Sequence, residues 1–375
     1  MSGGVDSSVA AALLLEQGYE VVGLTLQLWD YESAAARPVG ERGCCDISHQ
    51  MDARLICHQL GIEHLVLDLR DQFTQNVVQP YENAYLEGRT PNPCIACNTY
   101  LKWGEVLKRA PVFGFDFIAT GHYARITHTE SGPRLEKGLD PLKDQSYALW
   151  QLPRTALSMT LLPLGEWTKD KIREKARELD FRTAEKPDSQ EVCFIHGRYD
   201  DHLRTAHADK VNDIGEGEIV DVNGQKVGTH SGFYSFTIGQ RRGLDISDGQ
   251  GPYYVTELDA ERNRVVVGDK SALARPGMLV NTPNWVSFDP PAEPTSCVVK
   301  IRYNDPKGFP ATIYPERDGR IAVVFNKPVN AVTPGQSAVW YRGDAVWGGG
   351  IIARALRNSE VEALIEPAVT AEDDR

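Results

Sequence analysis

Ser2-Gly-Gly-Val-Asp-Ser-Ser8 stands at the start of the chain and leads directly into the apolar stretch VAAALLL at residues 9–15. Glycines let the backbone approach an anion closely, and the free N–H groups of a helix N-terminus attract negative charge. The motif therefore predicts a phosphate-binding loop followed by a helix, with Ser7 and Ser8 as candidate caps. A Gly-Ser capping turn without a ligand is the simpler alternative. No Lys follows the glycines, so the loop differs from a kinase-type P-loop and suits pyrophosphate as a leaving group.

Strands and helices alternate after this loop. Residues 20–28 and 64–69 have the β-branched, apolar character of strands, residues 46–60 have helical spacing, and residues 116–120 form another short strand. This order predicts an α/β domain built on a parallel sheet with helices on both faces. Ligands of such sheets bind at the carboxyl ends of the strands, where the motif loops fall.

The character of the sequence changes near residue 205. Residues 217–224 predict a β-hairpin with Asn223-Gly224 as its turn, and β-rich runs separated by turn residues continue to residue 347. We expect four segments: an α/β catalytic domain at residues 1–204, a small β-containing central domain at 205–272, a C-terminal β-barrel at 273–360 and a flexible tail at 361–375.

Composition narrows the cellular setting. The chain has 375 residues, a net charge of −12 and seven cysteines. No apolar run approaches the ~20 residues that a membrane span needs, and no signal peptide precedes the first motif. The odd, sparse cysteines do not form a secreted disulfide framework. We therefore expect a cytoplasmic protein without membrane association, whose acidity excludes bulk coating of nucleic acid but allows local basic patches.

Three cysteines lie in motifs of their own. Cys94 and Cys97 belong to the Pro-rich stretch TPNPCIACN at residues 90–98, and Cys193 belongs to DSQEVCF at residues 188–194. A thiolate can carry a persulfide, so a cysteine pair can accept and transfer sulfur and end as a disulfide. Half of a zinc site is one alternative, although no second C-x-x-C or His pair completes it. Three cysteines could also hold an iron–sulfur cluster with one open iron. The adjacent Cys44 and Cys45 are best interpreted as a helix-start region.

Five motifs occur in one order: SGGVDSS, TPNPCIACN, ATGHYA at residues 119–124, KDQSY at residues 143–147 and DSQEVCF. Together they resemble the tRNA-specific 2-thiouridylases, members of the PP-loop ATP pyrophosphatases, over residues 2 to about 354. The resemblance implies a PP-loop, adenine nucleotide alpha hydrolase-like N-terminal domain. It also implies an ATP-dependent sulfurtransferase that adenylates the wobble uridine of tRNA and replaces its O2 with sulfur.

The resemblance also assigns roles to individual residues. Cys97 matches the catalytic nucleophile, and Cys193 matches the persulfide carrier that forms a transient disulfide with Cys97. The positions that match ATP-binding residues are Ser2, Gly3, Gly4, Val5, Asp6, Ser7, Ser8, Leu26 and Gly121. Those that match contacts to the target base or to tRNA are Asn92, Pro93, Cys94, His122, Lys143, Asp144, Gln145, Arg302, Tyr303 and Gln336.

The implied cofactors and partners follow from the same roles. ATP and Mg²⁺ are expected, with Asp6 as a candidate Mg²⁺ ligand. An iron–sulfur cluster on Cys94, Cys97 and Cys193 is the less favoured route. The expected partners are the lysine, glutamate and glutamine tRNAs, with a sulfur-relay protein or a cysteine desulfurase as sulfur donor.

The sequence departs from the family pattern at two places. Family members have a buried strand before the SGG motif, whereas this chain begins at Met1. Some members carry Asp where this chain has Cys94, and a thiol is a poorer proton shuttle at neutral pH. The rival hypotheses are another PP-loop enzyme, such as an amide-forming or lysidine synthetase, and a non-catalytic tRNA-binding protein. Residues 169–177 form a charged helix that we interpret as a solvated face, with a tRNA-guiding patch as the alternative.

Overall fold

The computed structural model describes residues 1–29, 47–188, 192–195, 197–246, 251–305, 307–315 and 319–369. Cys44, Cys45 and part of the DSQEVCF motif, residues 189–191, lie outside this range. None of the described helices combines the length and apolarity that crossing a membrane requires.

The N-terminal part is an α/β domain, as the sequence predicts. Its α-helices are α1 Val5–Glu16, α2 Ile47–Leu60, α3 Arg70–Phe73, α4 Gln79–Leu86, α5 Pro93–Ala96, α6 Val106–Lys108, α7 Ala110–Phe113, α8 Arg154–Leu157 and α9 Lys169–Glu178. Two π-helical segments, Thr74–Val78 and Cys97–Glu105, and a 3₁₀ turn, Ser146–Leu149, lie among these helices. Its strands are β1 Val22–Gln27, β2 Glu63–Asp68, β3 Ile118–Ala119, β4 Ala124–Thr129, β5 Gly132–Lys137 and β6 Thr160–Leu161.

Two parallel strand pairs form the sheet elements of this domain. β1 pairs with β2, with Leu24 opposite Leu65, and β3 pairs with β6, with Ile118 opposite Thr160. Helix α1 lies in a buried cluster with residues of α2 and α9, because its apolar run has no polar face over residues 8–14. A helix that is apolar all round must be covered by neighbouring elements.

The middle part begins with two helices, α10 Tyr199–Ala206 and α11 Ala208–Ile214. A four-stranded sheet follows in the order β8-β7-β10-β9, formed by β7 Gly217–Asp221, β8 Lys226–His230, β9 Tyr254–Asp259 and β10 Arg264–Gly268. β7 and β8 are antiparallel and are joined through Asn223-Gly224, which confirms the predicted hairpin. Short 3₁₀ turns occupy Phe233–Ser235 and Lys270–Leu273.

The C-terminal part is a closed six-stranded β-barrel. Its strands are β11 Ala274–Asn284, β12 Thr295–Lys300, β13 Phe309–Pro315, β14 Ile321–Asn330, β15 Ser337–Arg342 and β16 Ala345–Leu356. The order is β11-β14-β13-β12-β15-β16, and a β11–β16 pairing closes the ring. In the closed ring each of these six strands is paired with a neighbour on both sides. Trp340 and Trp347 lie in the buried interior cluster.

Two features of the barrel region were not predicted from the sequence. The β4–β5 hairpin of the N-terminal part adds to the barrel sheet, where Glu136 pairs with Ala345 of β16. Helix α12, Asn358–Val369, follows the barrel and buries Val361, so helical residues begin the segment for which the sequence predicts a flexible tail.

Shared cores hold the three parts together. One buried cluster combines Phe73 and Leu101 of the N-terminal part with Val255 of the middle sheet. Another combines Trp103 and Trp150 with barrel residues such as Val339. The N-terminal part therefore shares one buried cluster with the middle part and another with the barrel.

Candidate functional site

The SGGVDSS motif forms a glycine turn at residues 2–4 and the first turn of α1. Gly3 has φ +67°, and a Cβ there would lie 2.0 Å from the carbonyl oxygen of His49. Gly121 is also closely packed, because a Cβ there would lie 2.9 Å from the carbonyl carbon of Asp6. Both positions require glycine, so the loop is held between the start of α2 and the segment after β3.

The helix cap differs from the sequence prediction. The N-cap residue of α1 is Gly4, and no side chain within the described part of the chain caps this end. The hydroxyls of Ser7 and Ser8 instead donate to the Gly4 carbonyl, at 3.2 and 2.9 Å. The predicted capping role of these serines is therefore wrong. Backbone N–H groups that are left uncapped at a helix N-terminus are the groups that bind phosphate.

A buried lysine lies directly beside this loop. Lys169 Nζ, at the first residue of α9, donates to both carboxylate oxygens of Asp6 at 2.8 Å, and Tyr123 donates to Asp6 Oδ1 at 2.6 Å. Burial and the neighbouring Asp6 carboxylate raise the pKa of Tyr123, so its hydroxyl stays a donor. The interpretation of this helix as a solvated face is wrong at Lys169, which is only 8% exposed.

Asp188 extends the charge network toward the cysteine motif. Its carboxylate accepts from Lys143 at 2.8 Å, Lys169 at 2.7 Å and Arg173 at 3.2 Å. Burial opposes ionisation of Asp188, but the hydrogen bonds and charges of Lys143 and Lys169 outweigh it and lower its pKa. Lys169 thus joins the carboxylate of the anion loop to the carboxylate five residues before Cys193.

A second basic side chain, Lys186, contacts the loop at Gly3. Its Nζ donates to the Gly3 carbonyl at 2.9 Å and to Asp52 at 2.7 Å. Sequence reasoning missed Lys169, Lys186 and Asp188 as site residues. Asp188 opens the DSQEVCF motif, which was its only sequence signal. The loop-side partners of the two lysines are distant in the chain: Asp6 is 163 positions from Lys169, and Asp52 is 134 positions from Lys186.

The predicted thiols occupy two environments. Asn92 caps the short helix α5 by accepting from the Cys94 N–H at 3.2 Å, and Pro93 is its first residue. Cys94 is exposed, whereas Cys97 and Cys193 are half-buried. Cys97 and Cys193 pack with Leu26 against the same buried cluster. The two predicted working cysteines therefore pack against the same buried cluster.

His122 follows Gly121, the residue that packs against Asp6 of the SGGVDSS motif. Its Nδ1 is 2.8 Å from the Thr120 hydroxyl, and its ring lies 5.7 Å from that of Trp103. Burial, followed by the charge of Lys102, holds the pKa of His122 well below its ordinary value. The imidazole is therefore neutral at physiological pH.

Several residues that the resemblance assigns to tRNA contacts are engaged within the protein. Asp144 is buried and pairs with Lys300 of β12 at 3.3 Å. Gln145 accepts from the Tyr123 N–H at 3.0 Å, and Gln336 donates to the Thr90 carbonyl at 2.9 Å. These bonds tie the KDQSY and TPNPCIACN motifs to the rest of the molecule.

Arg302 and Tyr303, in contrast, lie on the surface. Tyr303 is 42% exposed, and its ring is 6.3 Å from that of Tyr147. Arg302 donates to the Asn330 carbonyl at 3.2 Å and lies 3.6 Å from Asp305. Both side chains can reach a ligand from outside without opening the fold.

Across the described ranges, no three His, Cys, Asp or Glu side chains are arranged to hold a metal ion. Asp6 can still contribute one carboxylate to an ion held mainly by phosphate oxygens, which is the usual way that Mg²⁺ is bound. The site thus combines a glycine-rich helix start, a charge network and two cysteines that pack against one buried cluster.

Comparisons with known proteins identify the family of this chain. Residues 1–197 match the family described as the tRNA methyl transferase HUP domain, residues 208–269 its PRC-barrel domain, and residues 275–352 the aminomethyltransferase β-barrel domain. A protein of Carboxydothermus hydrogenoformans named tRNA-specific 2-thiouridylase MnmA is 45% identical, over 95% of this chain and 97% of the relative. Proteins of the same name from Acetivibrio thermocellus and Amoebophilus asiaticus are each 46% identical, over 94% and 95% of this chain and 97% and 95% of their own lengths. The chain belongs to the family of tRNA-specific 2-thiouridylases.

Proposed function

We propose that this protein uses ATP to replace O2 of the wobble uridine of tRNA with sulfur, giving 2-thiouridine. The observation that carries the proposal is the Lys169 bridge. It joins Asp6 of the anion loop to Asp188 of the cysteine motif, at 2.8 and 2.7 Å. An ATP-cleaving loop and a sulfur-carrying cysteine are needed together only when activation and sulfur transfer occur at one base.

In the first step, O2 of the uracil attacks the α-phosphate of ATP. The bond between the α-phosphate and pyrophosphate breaks, giving an adenylated base and pyrophosphate. The uncapped N–H groups of α1 after Gly4 would stabilise the pyrophosphate, and Lys169 would offset the charge of Asp6 beside it. Mg²⁺, held by the phosphates and Asp6, would supply further charge neutralisation. Adenylation turns a poor oxygen leaving group into a good one.

Sulfur transfer then uses the two half-buried cysteines. The terminal sulfur of a Cys193 persulfide attacks C2 of the uracil, and AMP leaves with the oxygen. The Cys97 thiolate attacks the Cys193 sulfur, which breaks the S–S bond to the base and leaves sulfur on C2. The product is 2-thiouridine and a Cys97–Cys193 disulfide, so the sulfane sulfur is reduced while the two thiols are oxidised. A cellular dithiol reductant resets the pair.

The remaining residues would position the tRNA. We propose that Asn92, Pro93 and Cys94 lie against the flipped base, with the neutral His122 ring close to it. Arg302 and Tyr303 offer a cation and an aromatic face to the RNA. The lysine, glutamate and glutamine tRNAs, a sulfur-relay protein or cysteine desulfurase as donor, and a cytoplasmic location follow from the resemblance.

The test is mass spectrometry of tRNA nucleosides after incubation with ATP, Mg²⁺ and a persulfide donor. Cys97→Ser and Cys193→Ser should each abolish 2-thiouridine. Cys297→Ser is the matched control, because Cys297 lies in the barrel, where burial raises its pKa to about 12. Cys297→Ser should retain activity. The absence of 2-thiouridine with the wild-type enzyme, or full activity of Cys193→Ser, would contradict the proposal.

An iron–sulfur route uses the same loop with different thiol chemistry. In that route Cys94, Cys97 and Cys193 would all be ligands, so Cys94→Ser would be inactive. The persulfide route leaves Cys94→Ser active. Anaerobic purification with iron and acid-labile sulfide assays separates the routes, and full activity without iron would exclude the cluster.

A further inference from the structure

A carboxylate far from the anion loop is held by two histidines. Glu82, on α4, is 6% exposed. Its Oε1 lies 2.8 Å from Nε2 of His202, and its Oε2 lies 2.9 Å from Nε2 of His207. His202 belongs to α10, and His207 lies between α10 and α11. This cluster, the Glu82 clasp, therefore ties the start of the middle part to the N-terminal part.

The surroundings of Glu82 favour its ionised form in spite of burial. Burial raises the pKa of Glu82, but the hydrogen bonds and charges of His202 and His207 outweigh it, so the net shift is downward. Each imidazole places its Nε2 within hydrogen-bond distance of one carboxylate oxygen. A buried charge that gives up water and gains two short hydrogen bonds holds its partners in one geometry.

One of the two histidines reaches the cysteine motif. The His202 ring makes an edge contact with Phe194, with centroids 6.2 Å apart. Phe194 follows Cys193 in the chain, is only 3% exposed, and also contacts Tyr81 of α4 at 5.0 Å. His207 makes no ring contact with Phe194 among the described residues. The clasp therefore acts on Phe194 from two sides, through His202 and through the helix that carries Glu82 itself.

We propose that Glu82 is a positioning residue for sulfur transfer: through His202 it locks Phe194, and thereby holds Cys193 against the buried cluster on which Cys97 also packs. This inference rests on the proposed function and extends it to a residue outside the five sequence motifs. Glu82 touches no reacting atom. Its effect falls on the thiol step, because the anion loop and its partner Lys169 are held by separate contacts.

Three substitutions separate positioning from general stability. Glu82→Gln leaves a single acceptor oxygen, so one histidine faces an N–H donor. His202→Gln keeps an N–H donor for Glu82 but removes the ring that contacts Phe194. His207→Gln removes the same kind of ring from the other oxygen and serves as the matched control, because Phe194 does not depend on it.

Two measurements are made on each full-length variant. The first compares pyrophosphate released in the first turnover with 2-thiouridine formed. The second follows alkylation of Cys193 by iodoacetamide, using mass spectrometry with the exposed Cys94 as internal reference. A misplacement of about 1 Å can cost about 100-fold in rate. We therefore expect Glu82→Gln and His202→Gln to slow thiolation by about 10- to 100-fold without changing pyrophosphate release.

Alkylation of Cys193 should accelerate by about tenfold in the same two variants, since a loosened segment opens more often. In His207→Gln both the thiolation rate and the alkylation rate should stay close to the wild-type values. Equal effects of His202→Gln and His207→Gln, or unchanged alkylation in Glu82→Gln, would overturn the positioning role. If wild-type enzyme makes no 2-thiouridine, the proposed function fails, whereas the alkylation comparison still decides whether the clasp positions Cys193.

Discussion

Asp144 offers a direct test of whether a motif residue serves the fold or the substrate. Its Oδ2 pairs with Lys300 Nζ at 3.3 Å, and the two side chains are 4% and 6% exposed. Its Oδ1 accepts the backbone N–H groups of Gly138 at 3.2 Å and Ser146 at 3.0 Å. Asp144→Ala would leave a buried ammonium group and two backbone donors without acceptors.

The size of the effect follows from burial. Removing one partner of a buried ion pair destabilises a protein by about 3–5 kcal/mol, because the remaining charge stays out of water. The exposed Asp344 is the matched control: it is 66% exposed and lies 3.5 Å from Lys137. Exposed pairs contribute about 0–1 kcal/mol, so Asp344→Ala should change stability little.

Urea unfolding, followed by fluorescence of the buried barrel tryptophans, measures both variants. We expect a clear fall in the midpoint for Asp144→Ala and almost none for Asp344→Ala. Removing both charges with Asp144→Asn and Lys300→Met should recover part of the loss, because no lone charge then remains buried. If Asp144→Ala instead lost tRNA affinity while its midpoint stayed at the wild-type value, the carboxylate would be a substrate contact and the reasoning would fail.

Two further outcomes are expected. Gly121→Ala would place a Cβ 2.9 Å from the carbonyl carbon of Asp6 and 3.0 Å from the Ser7 nitrogen. We therefore expect pyrophosphate release to fall by about 100-fold and the urea midpoint to fall as well, because the Asp6 backbone must shift. Activity near that of wild type would refute the close approach. The pKa values of Glu82 and Asp188 are both lowered, so their stabilising contribution is complete above their ordinary pKa values and is lost as pH falls through the lowered ones. Urea midpoints measured from pH 7 to pH 3 should therefore fall less steeply below about pH 4.5 in Glu82→Gln than in wild type, and identical slopes would contradict this assignment.

The sequence predicts the elements whose signal is local. The glycines before an apolar run predict a turn followed by a helix, which the structure shows at Gly4 and α1. The Asn223-Gly224 turn predicts the β7–β8 hairpin. Cys97 and Cys193 were paired only through a family resemblance. The structure places them against one cluster, which spacing along the chain could not show.

What sequence reasoning missed depends on partners that are distant in the chain. Lys169 opens a strongly charged helix, and composition alone favours solvent for such a helix. Its burial follows from Asp6, 163 positions earlier. Likewise, the hairpin at β4 and β5 carries ordinary strand residues, and only the edge of β16 determines where it pairs.

The barrel contacts the segment that leads to the cysteine motif TPNPCIACN. The Thr90 N–H donates to the Pro334 carbonyl at 2.9 Å, and Gln336 returns a bond to the Thr90 carbonyl. Gly335 fits between them with φ +90°, where a Cβ would lie 2.8 Å from the Thr90 nitrogen. The loop that carries Cys97 is thus fixed by a barrel turn that admits only glycine. If Cys97 is the nucleophile that we propose, a residue in this turn affects thiolation without touching RNA, because the turn fixes the segment that leads to Cys97.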